Sequence, residues 1–345
     1  MKKLNYKIII LVIIIVVSIV LIVTSFITKH KKINSTLDDE DSVQKIYYLA
    51  EVNSSDYPTT QADYNFAELV KEKTQGRVAI EVYTDATLGE ETEVIEKLQY
   101  GTLGFARVSI APVAEYSDAL NALMLPYLYK DSEHMWKVLD GSIGQNMLAS
   151  VEEAGLIGLS WYDSGARSFY SSKDISTLEE FKQTTFRVQT SSMMFAVCEA
   201  LGCIPKTLPE SDIVDEVKRG KIDGAENNLL TYYSYEQYKV CPYYIMDEHT
   251  RIPDILVGSK EALQDVSEED MKIIRECAKE AEVYERDLWE KKEKEVMELL
   301  RNEGVIFIQL SDEEREKMKT ACEGLYSEFA GDYDETIYKI NEIAE

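Results

Sequence analysis

From Lys45 to Asn228 the sequence keeps switching between strand and helix periodicity, and this switching limits the chain to one class of fold. "KIYYLAEV" reads as a strand and "YNFAELVKEKTQG" as a helix closed by Gly76. "RVAIEVYTD" alternates like a half-buried strand, "EETEVIEKLQYG" is a helix ended by Gly101, and "GFARVSIA" is a third strand. Helical segments follow in "SEHMWKVLDG" and "IGQNMLASVEEAG", then the strand "LIGLSWYD". The series then restarts. "ARSFYSS", "TFRVQ", "CIPKTL" and "KIDGAENN" read as strands, with helices in "MMFAVCEALG" and "DIVDEVKRG". Strands alternating with helices form mostly parallel sheets flanked by helices. Two successive sets predict an α/β protein with two lobes, each with its own sheet. Ligands of such sheets bind beyond the carboxyl ends of the strands.

The remainder is mostly helical. Ser267 and Asp270 resemble a capping box. Apolar residues then recur at Met271, Ile274, Ala278, Ala281, Leu288 and Val296, which predicts one helix over 268–302. At 1.5 Å per residue it spans roughly 50 Å, enough to brace both lobes. A strand ("VIFIQL") and a final helix from Ser311 complete the pattern.

The first 44 residues differ. A basic "MKKLNYK" precedes a nearly unbroken apolar run, Ile8 to Ile27, long enough to cross about 30 Å of hydrocarbon as a helix. It reads either as a cleaved secretory signal or as a retained anchor. Its length and the missing Ala-x-Ala site favour the anchor, with no cysteine to carry a lipid. In both readings the rest of the chain is exported, and residues 29–44 form a polar tether.

Net charge narrows function. The chain of 345 residues carries −26, which argues against a nucleic-acid partner. Any anion site must therefore be local and built from a few arginines. Cys198, Cys203, Cys241, Cys277 and Cys322 match neither a zinc nor a disulfide spacing and read as small buried hydrophobes. The sequence has no G-x-S-x-G, H-E-x-x-H, Walker or dinucleotide motif, and its three histidines are scattered at 30, 134 and 249. No metal and no cofactor is expected.

Polar residues do converge on strand ends. Arg187 and Gln189 share one face of "TFRVQ", and a helix N-cap is due at Ser191-Ser192. Arg167 follows the "WYDSG" turn, and Asn227 closes "DGAEN". Taken singly, each arginine reads as a surface charge. Together, two guanidiniums and an amide fit a carboxylate, since arginine offers a planar fork for two oxygens. Tyr47, Tyr48, Tyr57, Trp161 and Tyr162 read as core or rim, with the alternative of walling a sugar ring.

Ordered blocks from about Lys45 to Gly331 carry a family likeness. "LGEETEVIEKLQYGTLGFARVSIAP", "LPYLYKDSEHMWKVLDGSIG", "GLIGLSWYDSGARSFYSS", "FRVQ", "KIDGAENN" and "DEHTRIPDILV" resemble the extracytoplasmic solute-binding proteins of tripartite ATP-independent periplasmic (TRAP) transporters. The resemblance implies a two-lobed clamp that binds an organic acid, closes on it and delivers it to membrane permease subunits without catalysis. It implies that Arg187 makes the main salt bridge to the ligand carboxylate, assisted by Arg167 and Asn227. Glu91 is placed to meet ligand hydroxyls, with Arg107 and Ser109 from the same lobe. Gln189, Asp56 and His249 of "DEHTR" complete the expected set. The expected lobes are 45–164 with 252–290, and 165–251 with 291–345, in a monomer. The pattern "GARSFY…RVQ…DGAENN…EHTRIP" is most similar to binders of hexuronates or similar sugar acids. A C4-dicarboxylate, keto acid or sialic acid is the alternative cargo, and a secreted sugar-acid enzyme the alternative class. Two departures stand out. Asn53-Ser54-Ser55-Asp56 stands where related members often show a histidine near the first strand, and "PESDIVDEV" replaces the usual "P-F-x-E-V-Y-x-A-L".

Overall fold

The two β/α series build two separate sheets. In the computed structural model, which describes residues 45–343, the first sheet has the order β2-β1-β3-β10-β4 and the second β11-β9-β5-β8-β6-β7. The first contains β1 (Lys45–Ala50), β2 (Val78–Tyr83), β3 (Phe105–Ser109), β4 (Leu156–Tyr162) and β10 (Asp254–Ser259). The second contains β5 (Ser168–Ser171), β6 (Thr185–Val188), β7 (Ile204–Thr207), β8 (Gly224–Asn227), β9 (Tyr243–Ile245) and β11 (Ile306–Ile308). The apolar N-terminal run and its tether lie outside the described residues. Among the described residues no helix is long and apolar enough to cross a membrane.

A reversed strand sits inside each sheet. β10 pairs antiparallel with both β3 and β4, and β5 pairs antiparallel with both β8 and β9. The pairs β1–β3, β6–β7, β6–β8 and β9–β11 are parallel. Reversal puts the first residues of β10 and β5 at the same sheet edge as the last residues of their neighbours. β9 and β10 fall in a stretch where periodicity assigns no strand. β10 is buried on both faces, so "DILVGS" shows no alternation and follows Pro253.

Helix ends follow their caps. The helix predicted from Tyr64 starts instead at Pro58, whose fixed φ suits a first helical position. Near its far end Gly76 takes φ +81° and donates to Lys71 O. Ser191 Oγ accepts from Met194 N at the start of Ser192–Ala200. Ser267 Oγ likewise accepts from Asp270 N, and the helix that follows spans Glu268–Asn302, as the spacing predicts. The single helix expected from Ser311 is instead three: Asp312–Cys322, Gly324–Ala330 and Asp334–Ile343.

The long helix packs under both sheets. Ile274, Cys277, Ala278 and Ala281 bury against Phe66, Val70 and Phe105 of the first unit's core. Trp289, Val296 and Leu300 bury against Tyr170, Tyr232 and Tyr244 beneath the second. All five cysteines are free and buried, in keeping with their reading as small hydrophobes.

Candidate ligand-binding site

A cavity of about 690 Å³ is lined by residues from the converging edges of both sheets. Strand direction explains which side chains reach it. Ser109 ends β3, Asn227 ends β8 and Gln189 follows β6, while the reversed strands present Asp254 at the start of β10 and Arg167 just before β5. Tyr57 and Tyr235 are the aromatic residues in its wall. Trp161 and Tyr162 are buried in the protein core, and Tyr48 is exposed.

Three arginines face the cavity, and each meets a carboxylate. On the first sheet, Arg107 donates through Nε to Glu51 Oε2 at 2.9 Å and through Nη2 to Glu51 Oε1. Its Nη1 donates to Glu91 Oε1 and to Asp254 Oδ2, both at 3.1 Å. Glu91, the first residue of its helix, also accepts from Ser109 N at 3.0 Å. One guanidinium cannot neutralise three carboxylates. Burial, with Glu91 and Glu51 nearby, outweighs Arg107 and pushes the Asp254 carboxyl up to about 7.

On the second sheet, Arg167 grips Glu226 with two parallel bonds, Nε to Oε2 at 2.6 Å and Nη2 to Oε1 at 3.0 Å. Burial opposes the Glu226 charge, yet Arg167 and the nearby His249 hold its carboxyl down at about 2. Gln189 N donates to Glu226 Oε1 at 3.1 Å.

Arg187 differs from both. Its Nε donates to Leu208 O at 3.0 Å, and its Nη1 lies 2.5 Å from Glu210 Oε2. That contact is close but off-axis, so the buried Nη1 lacks an aligned hydrogen bond. Nη2 has no hydrogen-bond partner among the described residues. The side chain is nonetheless only 7 % exposed. The Gln189 side-chain oxygen is also buried without a partner.

Seven of the nine expected residues therefore meet in one cavity: Arg187, Arg167, Asn227, Gln189, Glu91, Arg107 and Ser109. Two do not reach the wall. Asp56 is exposed and accepts from Ser54 Oγ at 2.7 Å. His249 is fully buried behind Glu226, with Nδ1 at 2.7 Å from Asp247 Oδ2 and Nε2 at 3.6 Å from Glu226 Oε2. Burial lowers its basicity, but Asp247 and Glu226 more than compensate and raise it to about 9. A local sequence reading misses Asp254, which sits on an unrecognised strand, and Glu210, which lies in the departing "PESDIVDEV" segment. The available signal was counter-charge: three arginines buried in a strongly acidic chain require carboxylate partners.

A family model described as bacterial extracellular solute-binding protein, family 7, matches residues 49–332. A solute-binding protein of Chromohalobacter salexigens is 31% identical over 285 residues, covering 82% of this chain and 84% of that protein. A TRAP periplasmic solute-binding protein from Xanthobacter autotrophicus Py2, solved with bound β-D-galacturonate, superposes with a TM-score of 0.82 at 33% identity, covering 86% and 99% of the two chains. One from Pseudomonas putida F1, solved with D-glucuronate, gives 0.84 at 28% identity, covering 86% and 97%.

Proposed function

The chain belongs to the family 7 bacterial extracellular solute-binding proteins, the binding subunits of TRAP transporters, and from that premise we propose that its cavity captures a hexuronate. It is a binding protein and not an enzyme. The cargo's carboxylate docks on Arg187. The observation that carries this reading is the contrast among the three cavity arginines. Arg107 commits all three nitrogens to carboxylates and Arg167 holds Glu226 in a two-bond fork, whereas Arg187 makes no aligned hydrogen bond to a carboxylate and keeps Nη2 and a poorly aligned Nη1. Galacturonate and glucuronate in two similar proteins support the choice of sugar acid.

Capture works by population shift. The cargo touches both lobes, taken as 45–164 with 252–290 and 165–251 with 291–345, and so favours the closed arrangement by its differential contacts. Closure removes water from around Arg187 and strengthens the ion pair. The loaded protein then delivers the acid to its permease. We also infer that the apolar run at 8–27 tethers the protein to the outer face of the cytoplasmic membrane, which N-terminal sequencing of the mature protein tests.

Calorimetry with D-galacturonate and D-glucuronate tests the central claim. Arg187→Ala is expected to weaken binding by about 100-fold or more, because a desolvated charge pair is lost. Arg187→Lys retains a weak point-charge interaction without the fork. Unchanged affinity in both variants would reject Arg187 as the anchor.

A further inference from the structure

The carboxylate of Glu210 sits on the donors that an incoming acid needs. Its Oε2 lies 2.5 Å from Arg187 Nη1 and accepts from Asn227 Nδ2 at 3.1 Å. Its Oε1 accepts from Gln237 Nε2 at 2.7 Å, and Gln237 Oε1 in turn accepts from the buried Tyr170 hydroxyl. One side chain thus occupies both Arg187 and Asn227, and it lines the cavity itself. Glu210 belongs to a 3₁₀ turn, Glu210–Asp212, that buries none of its own side chains. No strand ladder fixes that turn, unlike the strand residue Asp254 on Arg107.

Resting on the hexuronate reading, the geometry points to Glu210 as an internal carboxylate that a cargo acid must displace, so that loading is an exchange of one carboxylate for another. A cargo carboxylate on the same Nη1 and Asn227 Nδ2 would set a second negative charge against Glu210, and the two like charges repel. Acid is already crowded at this place. Glu90, on the facing helix start, has its carboxyl raised by burial and by Glu91; Arg187 partly relieves this, and Glu210 and Asp212 work against that relief. Apparent affinity is the intrinsic affinity reduced by the fraction of molecules in which Glu210 has left the fork. Glu210 therefore sets specificity as well: a neutral sugar cannot displace it, and an acid whose carboxylate binds the fork in two-pronged fashion can.

Calorimetry with D-galacturonate and D-glucuronate on the full chain tests the exchange with Glu210→Gln, Glu210→Ala and Asp212→Asn. The Glu210 variants are expected to bind about tenfold tighter or more, whereas Asp212→Asn, an equal charge change in the same exposed turn, moves affinity by about twofold at most. Unchanged or weaker binding in the Glu210 variants would make Glu210 a bystander or an acceptor for cargo hydroxyls and overturn the exchange. Equal tightening in Asp212→Asn would reduce the effect to net charge and overturn it too. A probe independent of the sugar is ¹³C-acetate observed by NMR. Glu210→Ala should gain saturable acetate binding over wild type, and Arg187→Ala in the same chain should remove it; no gain overturns the exchange. Acetate gain without hexuronate binding by any variant would sink the hexuronate reading and leave the exchange standing.

Discussion

Arg107 on β3 and Arg187 on β6 approach the same cavity from opposite sheets, and both are buried and ion-paired. They differ in where the counter-charge comes from. Arg107 is enclosed by Glu51, Glu91 and Asp254, which extend from a strand end, a helix start and a central strand. Asp254 is also fixed opposite Ser109 by the antiparallel ladder. Arg187 meets one carboxylate, from a turn, and retains unspent donors. A guanidinium saturated by rigid partners holds structure. One paired to a side chain on a loop can exchange partners, and exchange is what reversible capture requires.

Removing Arg107 should give the largest effect and tests that contrast directly. Arg107→Ala strands buried carboxylates and is expected to cost on the order of 3–5 kcal/mol of stability, read as a marked fall in melting temperature. Arg187→Ala should leave melting nearly unchanged while abolishing tight binding. If the two variants swapped these outcomes, the division of roles would be wrong.

pH should separate the two sheets' clusters into neighbouring windows. Asp254 has its folded pKa raised from 3.8 to about 7, so its stabilising contribution is complete at the acid end and is lost as pH rises through about 7. His249 is raised from 6.5 to about 9, so its contribution is complete below 6.5 and lost as pH rises through about 9. Thermal melts of Asp254→Asn should flatten the slope between pH 4 and 7. Melts of His249→Gln should flatten it between pH 6.5 and 9. Glu226, held at about 2, keeps its contribution throughout both windows.

The smallest effect tests the seam between the lobes. Tyr57, at the entry to the Pro58 helix, places its hydroxyl 2.9 Å from Thr231 Oγ1 and 3.3 Å from Asn228 Oδ1 across the cavity. Tyr57→Phe is expected to cost about 1 kcal/mol in cargo binding with little change in melting. A loss in melting with unchanged affinity would place this contact in the fold and not in closure.

Much of this molecule was legible locally. Alternating periods gave nine of the eleven strands, and a serine cap with a run of spaced apolar residues gave the long helix Glu268–Asn302. That Arg187, Arg167 and Asn227 would line one cavity could be read locally, because strand ends in an α/β pattern converge and those positions follow from neighbours a few residues away. The charge pairing was not legible. Asp254 lies 147 residues from Arg107, and Glu226 lies 59 from Arg167. His249 resembled a ligand contact in sequence but is sealed between Asp247 and Glu226. Local periodicity specifies which face a side chain takes, because the backbone repeat fixes it. Which charge it meets there depends on how distant strands are ordered and reversed in the sheets, and only the assembled fold decides that.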